Sequence, residues 1–349
     1  MLEYLYDEIY LFVLVTIMIV SGIAKDNGLF SGTYGFLKSK FKSNRLVIML
    51  LSFVSGILPI EGRAIVSAGI LDTATNNNGD NASRKKLGII DFLTTHHFYM
   101  WSPIEKPVLL PMAAFGLGYG AWIGMLWPLL LVSALYIVLY CWLAVDENEV
   151  VISECPDTYR LWEFSKNTLP FFIAIIIYMI MGGEGPPSVF LVFGSLLVYY
   201  IILTKSFDVR KLNSYINWTT VAIVAIVFAS SGYMQEHRAW FEEGVKSIGI
   251  DMHTFKGVFY ISLLTFMASF SMGSDGKFAA LTVLMASAFG KEYLLWFFAL
   301  DYCGYLLTPM HECVMIGKRY FGTSLTTYYT ALIAWAILLL TVSGIFTFL

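Results

Sequence analysis

Leu58-Pro59-Ile60-Glu61-Gly62-Arg63 places an acid, a glycine and a base at a turn inside an apolar segment that begins near Leu46. The charged triplet returns once, as Asp275-Gly276-Lys277. Each copy is followed by a second signature, Ser102-Pro103-Ile104-Glu105-Lys106-Pro107-Val108 after the first and Thr308-Pro309-Met310-His311-Glu312-Cys313-Val314 after the second. Because two different motifs recur in the same order within apolar sequence, they indicate an internal duplication.

The composition predicts an integral membrane protein. Of the 349 residues, 58% are hydrophobic and 13% are charged, and the mean hydropathy is +0.70. This leaves too little polar surface to cover a water-soluble globule. The net charge of -3 includes no basic tail, which argues against a nucleic-acid partner. The cysteines (Cys141, Cys155, Cys303 and Cys313) show no CxxC spacing, so neither a disulfide framework nor a zinc site is expected.

Several apolar segments are interpreted as bilayer spans, which require about 20 apolar residues. They are 9–24, which meets this length marginally, 122–145, 169–182, 188–204, 215–234 and 323–348. Two others, 46–72 and 255–290, are interrupted at the charged triplets. We interpret each as a re-entrant hairpin of two half-length helices, whose exposed backbone at mid-membrane requires a cavity.

A proline-bearing polar break also interrupts the segment after each hairpin, at 87–116 and 291–317. Proline removes a backbone donor and clashes with the preceding turn, so both segments predict broken helices. Charged residues at such breaks are costly in a membrane and usually face a bundle interior.

The distribution of Lys and Arg predicts the orientation. If the basic loops are cytoplasmic, both termini lie outside. The unit 1–145 is then inverted relative to the unit 214–349, with 146–213 as the connection. The predicted fold is therefore an all-α polytopic membrane protein of two inverted-topology repeats, an architecture that is typical of secondary transporters.

The hairpin tips and helix breaks carry the candidate site residues. Bases and hydroxyls there are suited to bind an anionic solute: Arg63, Ser102, Lys106, Ser271, Ser274, Lys277 and Thr308. The alternative is that each base only neutralises a neighbouring acid, since buried charges persist mainly when paired.

The acids and one histidine at the same breaks are candidates for coupling to H⁺ or Na⁺: Glu61, Glu105, Asp275, Asp301, His311 and Glu312. Carboxyl and imidazole groups in such places can load and release protons near neutrality. An interhelical hydrogen bond is the alternative role for His311. A metal role for His96 and His97 is not expected, because no third ligand stands at a recognisable spacing. No cofactor is predicted.

Several of these motifs resemble a known family. Ser55-Gly-Ile-Leu-Pro59, Trp101-Ser-Pro-Ile-Glu105, and above all Gly304-Tyr-Leu-Leu-Thr-Pro309-Met-His-Glu-Cys313 with Arg319-Tyr-Phe-Gly322 are similar to domain-of-unknown-function family 401 of prokaryotic integral membrane proteins. That family is similar to the ion transporter superfamily, which includes gluconate permeases, arsenite pumps and sodium-coupled dicarboxylate carriers.

The resemblance implies a two-repeat carrier in the prokaryotic inner membrane, often a homodimer, that works by elevator-type motion of its hairpin-containing part. The sequence lacks the Ser-Asn-Thr clamp motifs of the dicarboxylate carriers, which argues against a di- or tricarboxylate substrate. We therefore expect an ion-coupled carrier of a small solute, an organic or inorganic anion, and no enzyme. The alternative is a sensor or assembly component that retains the carrier fold.

Overall fold

The structure is a computed structural model that describes residues 2–26, 33–57, 63–75, 82–103, 105–150, 161–180, 186–204, 208–251, 254–272 and 275–349. Within these ranges the regular elements are helices, and none is a strand. The α-helices are α1 (Leu2–Asp26), α2 (Thr33–Lys40), α3 (Asn44–Ile57), α4 (Arg63–Thr75), α5 (Ala82–His97), α6 (Lys106–Ala114), α7 (Tyr119–Ala144), α8 (Leu161–Asn167), α9 (Leu169–Ile180), α10 (Pro186–Thr204), α11 (Leu212–Tyr215), α12 (Trp218–Glu236), α13 (Arg238–Ser247), α14 (Phe255–Met272), α15 (Asp275–Phe289), α16 (Leu294–Leu307), α17 (Glu312–Phe321) and α18 (Leu325–Phe348).

Two groups of three consecutive helices have the same packing. We call α3, α4 and α5 the first set and α14, α15 and α16 the second set; within each set every helix packs against the other two. The segments joining α3 to α4 and α14 to α15 lie outside the described residues. α14 has 18 residues, or about 27 Å of helix, which is longer than the half-length helix that the sequence predicts.

The helices that follow the sets connect one set to the other. α17, which follows the second set, packs on α4 and α5, whereas α6, which follows the first set, packs on α15. α7 packs on α5, α18 packs on α16, and α7 and α18 also pack on each other. The core is therefore shared by both sets.

Glycines permit the closest crossings between these helices. A Cβ added to Gly88 of α5 would lie 3.1 Å from the Cα of Gly317 in α17. At Gly304 of α16, an added Cβ would lie 2.7 Å from the carbonyl oxygen of Phe266 in α14. An added Cβ would overlap the α14 backbone at Gly304, so only glycine permits that approach, whereas at Gly88 it would make a tight contact.

The outer surface is strongly apolar. α7 and α18 are long and apolar enough to cross a membrane, and only 33% of the apolar stretch of each helix is buried. The exposed side chains of α7 include Leu131, Leu139 and Trp142. The other segments that the sequence predicts as spans give shorter apolar stretches of described residues, for example Leu169–Tyr178.

Candidate functional site

The first interrupted helix breaks between α5 and α6. α5 ends at His97, and α6 begins at Lys106 after a 3₁₀ turn. The backbone N–H of Ser102 donates a hydrogen bond to the carbonyl of Phe98, at 2.9 Å. Pro103 follows at once and has no N–H with which to continue a helical ladder. Pro103 therefore keeps the helix from continuing past Ser102, and the chain turns before α6 starts.

The second interrupted helix breaks between α16 and α17. α16 ends at Leu307 and α17 begins at Glu312, with Pro309 between them. The N–H of His311 donates to the carbonyl of Thr308 at 3.2 Å. This turn puts His311 at the N-cap position of α17 with an extended backbone, and its side chain points into the protein interior, where it is 2% exposed.

The two breaks meet through a pair of histidines. Nε2 of His96, near the end of α5, lies 2.8 Å from Nε2 of His311, and both side chains are buried. Nδ1 of His96 lies 2.8 Å from the carbonyl oxygen of Phe92. Since a carbonyl can only accept, this nitrogen carries the proton, which leaves Nε2 of His96 as an acceptor for the N–H of His311.

Aromatic rings enclose this histidine pair. Phe92 stacks on His96 with ring centroids 3.9 Å apart, and Tyr305 meets His311 edge-on at 4.4 Å. Cys313 lies on the first turn of α17, and its Sγ and one ring nitrogen of each histidine all lie within 4.8 Å of one another. The arrangement is thus a compact group of three possible metal ligands in largely apolar surroundings.

A buried aspartate lies inside the second set. Oδ2 of Asp301, in α16, accepts hydrogen bonds from both the N–H and the hydroxyl of Thr282 in α15, each at 2.7 Å. Ser269 of α14 donates to the carbonyl of Asp301 at 2.6 Å. Oδ1 of Asp301 is buried and accepts no hydrogen bond from the described part of the chain. The three helices of the set therefore converge on this residue.

The first set holds a buried aspartate in the equivalent place. Asp91 lies on α5, and its Oδ1 accepts a hydrogen bond from the hydroxyl of Ser67 in α4. Ser52 of α3 lies near the same carboxyl group. In both sets, then, the third helix carries the carboxyl, the second helix donates a hydroxyl to it, and the first helix supplies a nearby serine.

The predicted hydroxyl groups lie in different environments. Ser102 is fully buried, and its hydroxyl makes no hydrogen bond within the described residues. Thr308 is also fully buried, and its hydroxyl accepts a bond from the N–H of Met310 at 3.3 Å. Ser271 is exposed and donates to the carbonyl of Ala268 in its own helix, at 2.8 Å. Of these three, Ser102 and Thr308 lie in the interior at the two breaks.

The predicted charged residues also divide by position. Glu105 is buried at the N-cap of α6, Lys106 is half-buried in its first turn, and Glu312 is exposed at the start of α17. Arg63 begins α4, and Asp275 and Lys277 lie in the first turn of α15, but their side chains lie outside what the structure describes. Glu61 and Ser274 fall wholly outside the described residues.

Sequence reasoning missed Asp91, Ser67 and Thr282, and it rejected His96 for want of a third ligand. One available signal was the position of an aspartate on the first half of each interrupted segment, Asp91 and Asp301. The two stand at different distances from the Ser/Thr-Pro step, so the repeat pattern did not align them. The sequence does not mark Cys313 as a possible metal ligand, because His96 lies on a distant helix.

The fold and the site define a class: an all-helical protein with two interrupted helices whose breaks meet at a buried histidine pair, and with a buried aspartate in each of two three-helix sets. The chain belongs to the family described as "Protein of unknown function (DUF401)", whose model matches residues 4–348. This confirms the resemblance to family 401. No curated protein matches the chain significantly.

Proposed function

We propose that the protein is an integral membrane carrier that moves a small anion by alternating access, coupled to a gradient of H⁺ or Na⁺. In this proposal the two sets and the interrupted helices are related by an inverted repeat and form the transporting part, as in the ion transporter superfamily. The other helices form the scaffold and a homodimer interface.

The apolar exterior supports residence in a bilayer. Exposed aliphatic and aromatic side chains cover α7 and α18 and continue on α9, α10 and α14, for example Ile176, Ile202 and Leu264. Soluble monomers rarely expose contiguous apolar patches larger than a few hundred Å². In a hydrocarbon environment this surface no longer costs free energy by contacting water. The polar groups of the two sets then lie in the interior, away from lipid.

The paired aspartates carry the proposal of ion coupling. Asp91 and Asp301 are buried on the equivalent helix of their sets, and each accepts a hydrogen bond from a hydroxyl of the preceding helix. Intramembrane carboxyl groups are rare and mark ion pathways. A carboxyl with hydroxyl oxygens beside it suits H⁺ or Na⁺, and Asp301 also has an oxygen, Oδ1, without a described donor.

The helix breaks provide the proposed solute site. Helix N-termini attract anions because their first N–H groups lack intrahelical acceptors, and α6 and α17 both begin at a break. At the start of α6, the buried Ser102 hydroxyl and the Lys106 ammonium group add a donor and a positive charge. Thr308 holds the corresponding place before α17. Discontinuous helices of this kind bind anionic substrates in secondary transporters.

Uptake into liposomes tests the proposal. Purified protein is reconstituted, a Na⁺ or pH gradient is imposed, and uptake is measured for a panel of labelled monocarboxylates, sugar acids and inorganic oxyanions. We expect at least one anion to accumulate only with a gradient. Asp301→Asn should lower coupled uptake at least about tenfold, since an ion ligand that contributes 1.4 kcal/mol or more changes an equilibrium by that factor.

Asp208→Asn is the matched control, because Asp208 is an exposed aspartate outside both sets and its loss should leave uptake unchanged. If no anion of the panel moves, or if Asp301→Asn transports like the parent protein, the proposal fails. Anions that raise the thermal stability of the protein without being taken up would instead favour the sensor alternative.

A further inference from the structure

We propose that His96, His311 and Cys313 form a binding site for one thiophilic d¹⁰ metal ion, Zn²⁺ or Cu⁺. The site joins α5 of the first set to α17, which follows the second set. This inference does not depend on transport, and its test uses binding alone.

The ligand atoms are close enough for one ion. One ring nitrogen of each histidine and the Cys313 Sγ all lie within 4.8 Å of one another, and the two Nε2 atoms are 2.8 Å apart. With bonds of about 2.0–2.1 Å to nitrogen and 2.3 Å to sulfur, a tetrahedral ion separates two imidazole nitrogens by about 3.3 Å. The imidazoles therefore need to part by about half an ångström, and the sulfur needs to approach, which are side-chain movements.

The surrounding contacts orient His96 as a ligand. Its Nδ1–H donates to the Phe92 carbonyl at 2.8 Å, so the lone pair of Nε2 faces the site. Tyr302 of α16 donates from its hydroxyl to the carbonyl of His96, at 2.8 Å, which ties down the end of α5. The Nδ1–H bond to Phe92 fits this role, because metal-bound histidines almost always donate a hydrogen bond from the ring nitrogen that does not bind the metal.

Coordination needs no oxidant or reductant. The proton on Nε2 of His311 moves to Nδ1 of the same ring, so that Nε2 becomes a ligand. The Cys313 thiol releases its proton to solvent and binds as the thiolate. Two neutral imidazoles and one thiolate compensate the charge of Cu⁺ fully and that of Zn²⁺ in part. This compensation lowers the cost of holding the ion beside two buried histidines. Soft thiolate ligands also select these ions over Mg²⁺ or Ca²⁺.

A bound ion would link two helices that are far apart in the chain. His96 and His311 stand 215 positions apart in the chain, one at each break. At the other end of the α5–α17 contact, Thr323 donates to the carbonyl of Lys85. A bound ion would therefore cross-link α5 and α17 where the two breaks meet, and it would oppose the separation of these helices.

Cobalt absorption tests the site directly. The full-length protein in detergent is treated with EDTA, desalted and titrated with Co²⁺, whose thiolate complexes give a near-ultraviolet charge-transfer band. We expect the band to saturate at one Co²⁺ per chain and to disappear on addition of Zn²⁺. Cu⁺, supplied under reducing conditions, should displace Co²⁺ in the same way if the site accepts both ions; displacement by only one of them identifies the ion and still supports the site.

Matched cysteine variants make the assignment specific. Cys313→Ser should abolish the band and weaken Zn²⁺ binding by more than about 100-fold, because even the loss of an outer-shell partner costs 10–100-fold. Cys303→Ser is the control, since this buried thiol faces the carbonyl of Ala336 in α18 at 3.7 Å, and it should retain the band. Absence of the band in the parent protein overturns the proposal, as does its persistence in Cys313→Ser or its equal loss in Cys303→Ser.

Discussion

Replacement of Gly304 by alanine should separate α14 from α16 and destabilise the protein. The added Cβ would lie 2.7 Å from the carbonyl oxygen of Phe266 and 2.8 Å from the Cβ of Ser269. Neither atom is the far end of a flexible side chain, so the helices themselves must move. The hydrogen bond from Ser269 to the carbonyl of Asp301, at 2.6 Å, crosses the same contact and should be strained or lost.

The expected magnitude follows from two opposing effects. Overpacking in a well-packed core costs about 1–3 kcal/mol, whereas exchanging glycine for alanine in a helix gains about 0.8–1.0 kcal/mol of intrinsic propensity. Gly124 of α7 isolates the second effect, because nothing lies within 4 Å of a Cβ added there. Gly124→Ala should therefore be neutral or stabilising, and the difference between the two variants equals the packing cost, about 1–3 kcal/mol.

The free energy of unfolding is measured for both variants by circular dichroism, with increasing dodecyl sulfate in mixed micelles. Equal stabilities of Gly304→Ala and Gly124→Ala, within about 0.5 kcal/mol, would contradict the close approach of α14 and α16, since additivity for distant sites holds to about that precision. A normal stability for Gly304→Ala combined with impaired ion coupling would show that the helices adjust at the expense of the Asp301 site.

Three smaller perturbations test other contacts. Gly88→Ala should be about 1 kcal/mol or more less stable than Gly124→Ala, because both gain the same helix propensity but the Cβ at position 88 would lie 3.1 Å from the Gly317 backbone; equal stabilities of the two variants in the same unfolding assay would contradict the α5–α17 crossing. Tyr328→Phe should cost about 1 kcal/mol, since its hydroxyl donates to the Gly88 carbonyl, and a thermal melt equal to that of the parent would show that this bond contributes nothing. Asp26→Asn should cost less than about 1 kcal/mol, because the Asp26–Lys211 ion pair, at 3.0 Å, is largely exposed; any loss should vanish at high salt, and a salt-independent loss would refute an electrostatic origin.

The sequence predicts where helices end near the site. The Pro103 and Pro309 steps predict that two helices end nearby, and both segments are interrupted there in the structure. The reason is local: a proline has no N–H to donate and restricts the residue before it, whatever the rest of the chain does. The lengths of the apolar segments likewise predict helices, and the composition predicts an apolar surface, because composition is a sum over residues.

The sequence does not show which residues on different helices contact each other. In the sequence His96 stands beside His97, whereas in the structure its contact is His311. Asp91 likewise has no marked neighbour in the sequence, because the Ser67 hydroxyl that donates to it lies on another helix. Local patterns report helix ends and faces, but they do not state which helix covers which face.

The amino-acid sequence by itself determined that the chain forms apolar helices, that two of them break at proline, and that charged and hydroxyl residues gather at those breaks. Only the tertiary structure decided that the breaks meet through His96 and His311, with Cys313 beside them, and that Asp91 and Asp301 each accept a hydrogen bond from a hydroxyl on the preceding helix. The physical reason is that helix crossings depend on close backbone approach, as at Gly88 and Gly317, and on the matching of two surfaces far apart in sequence.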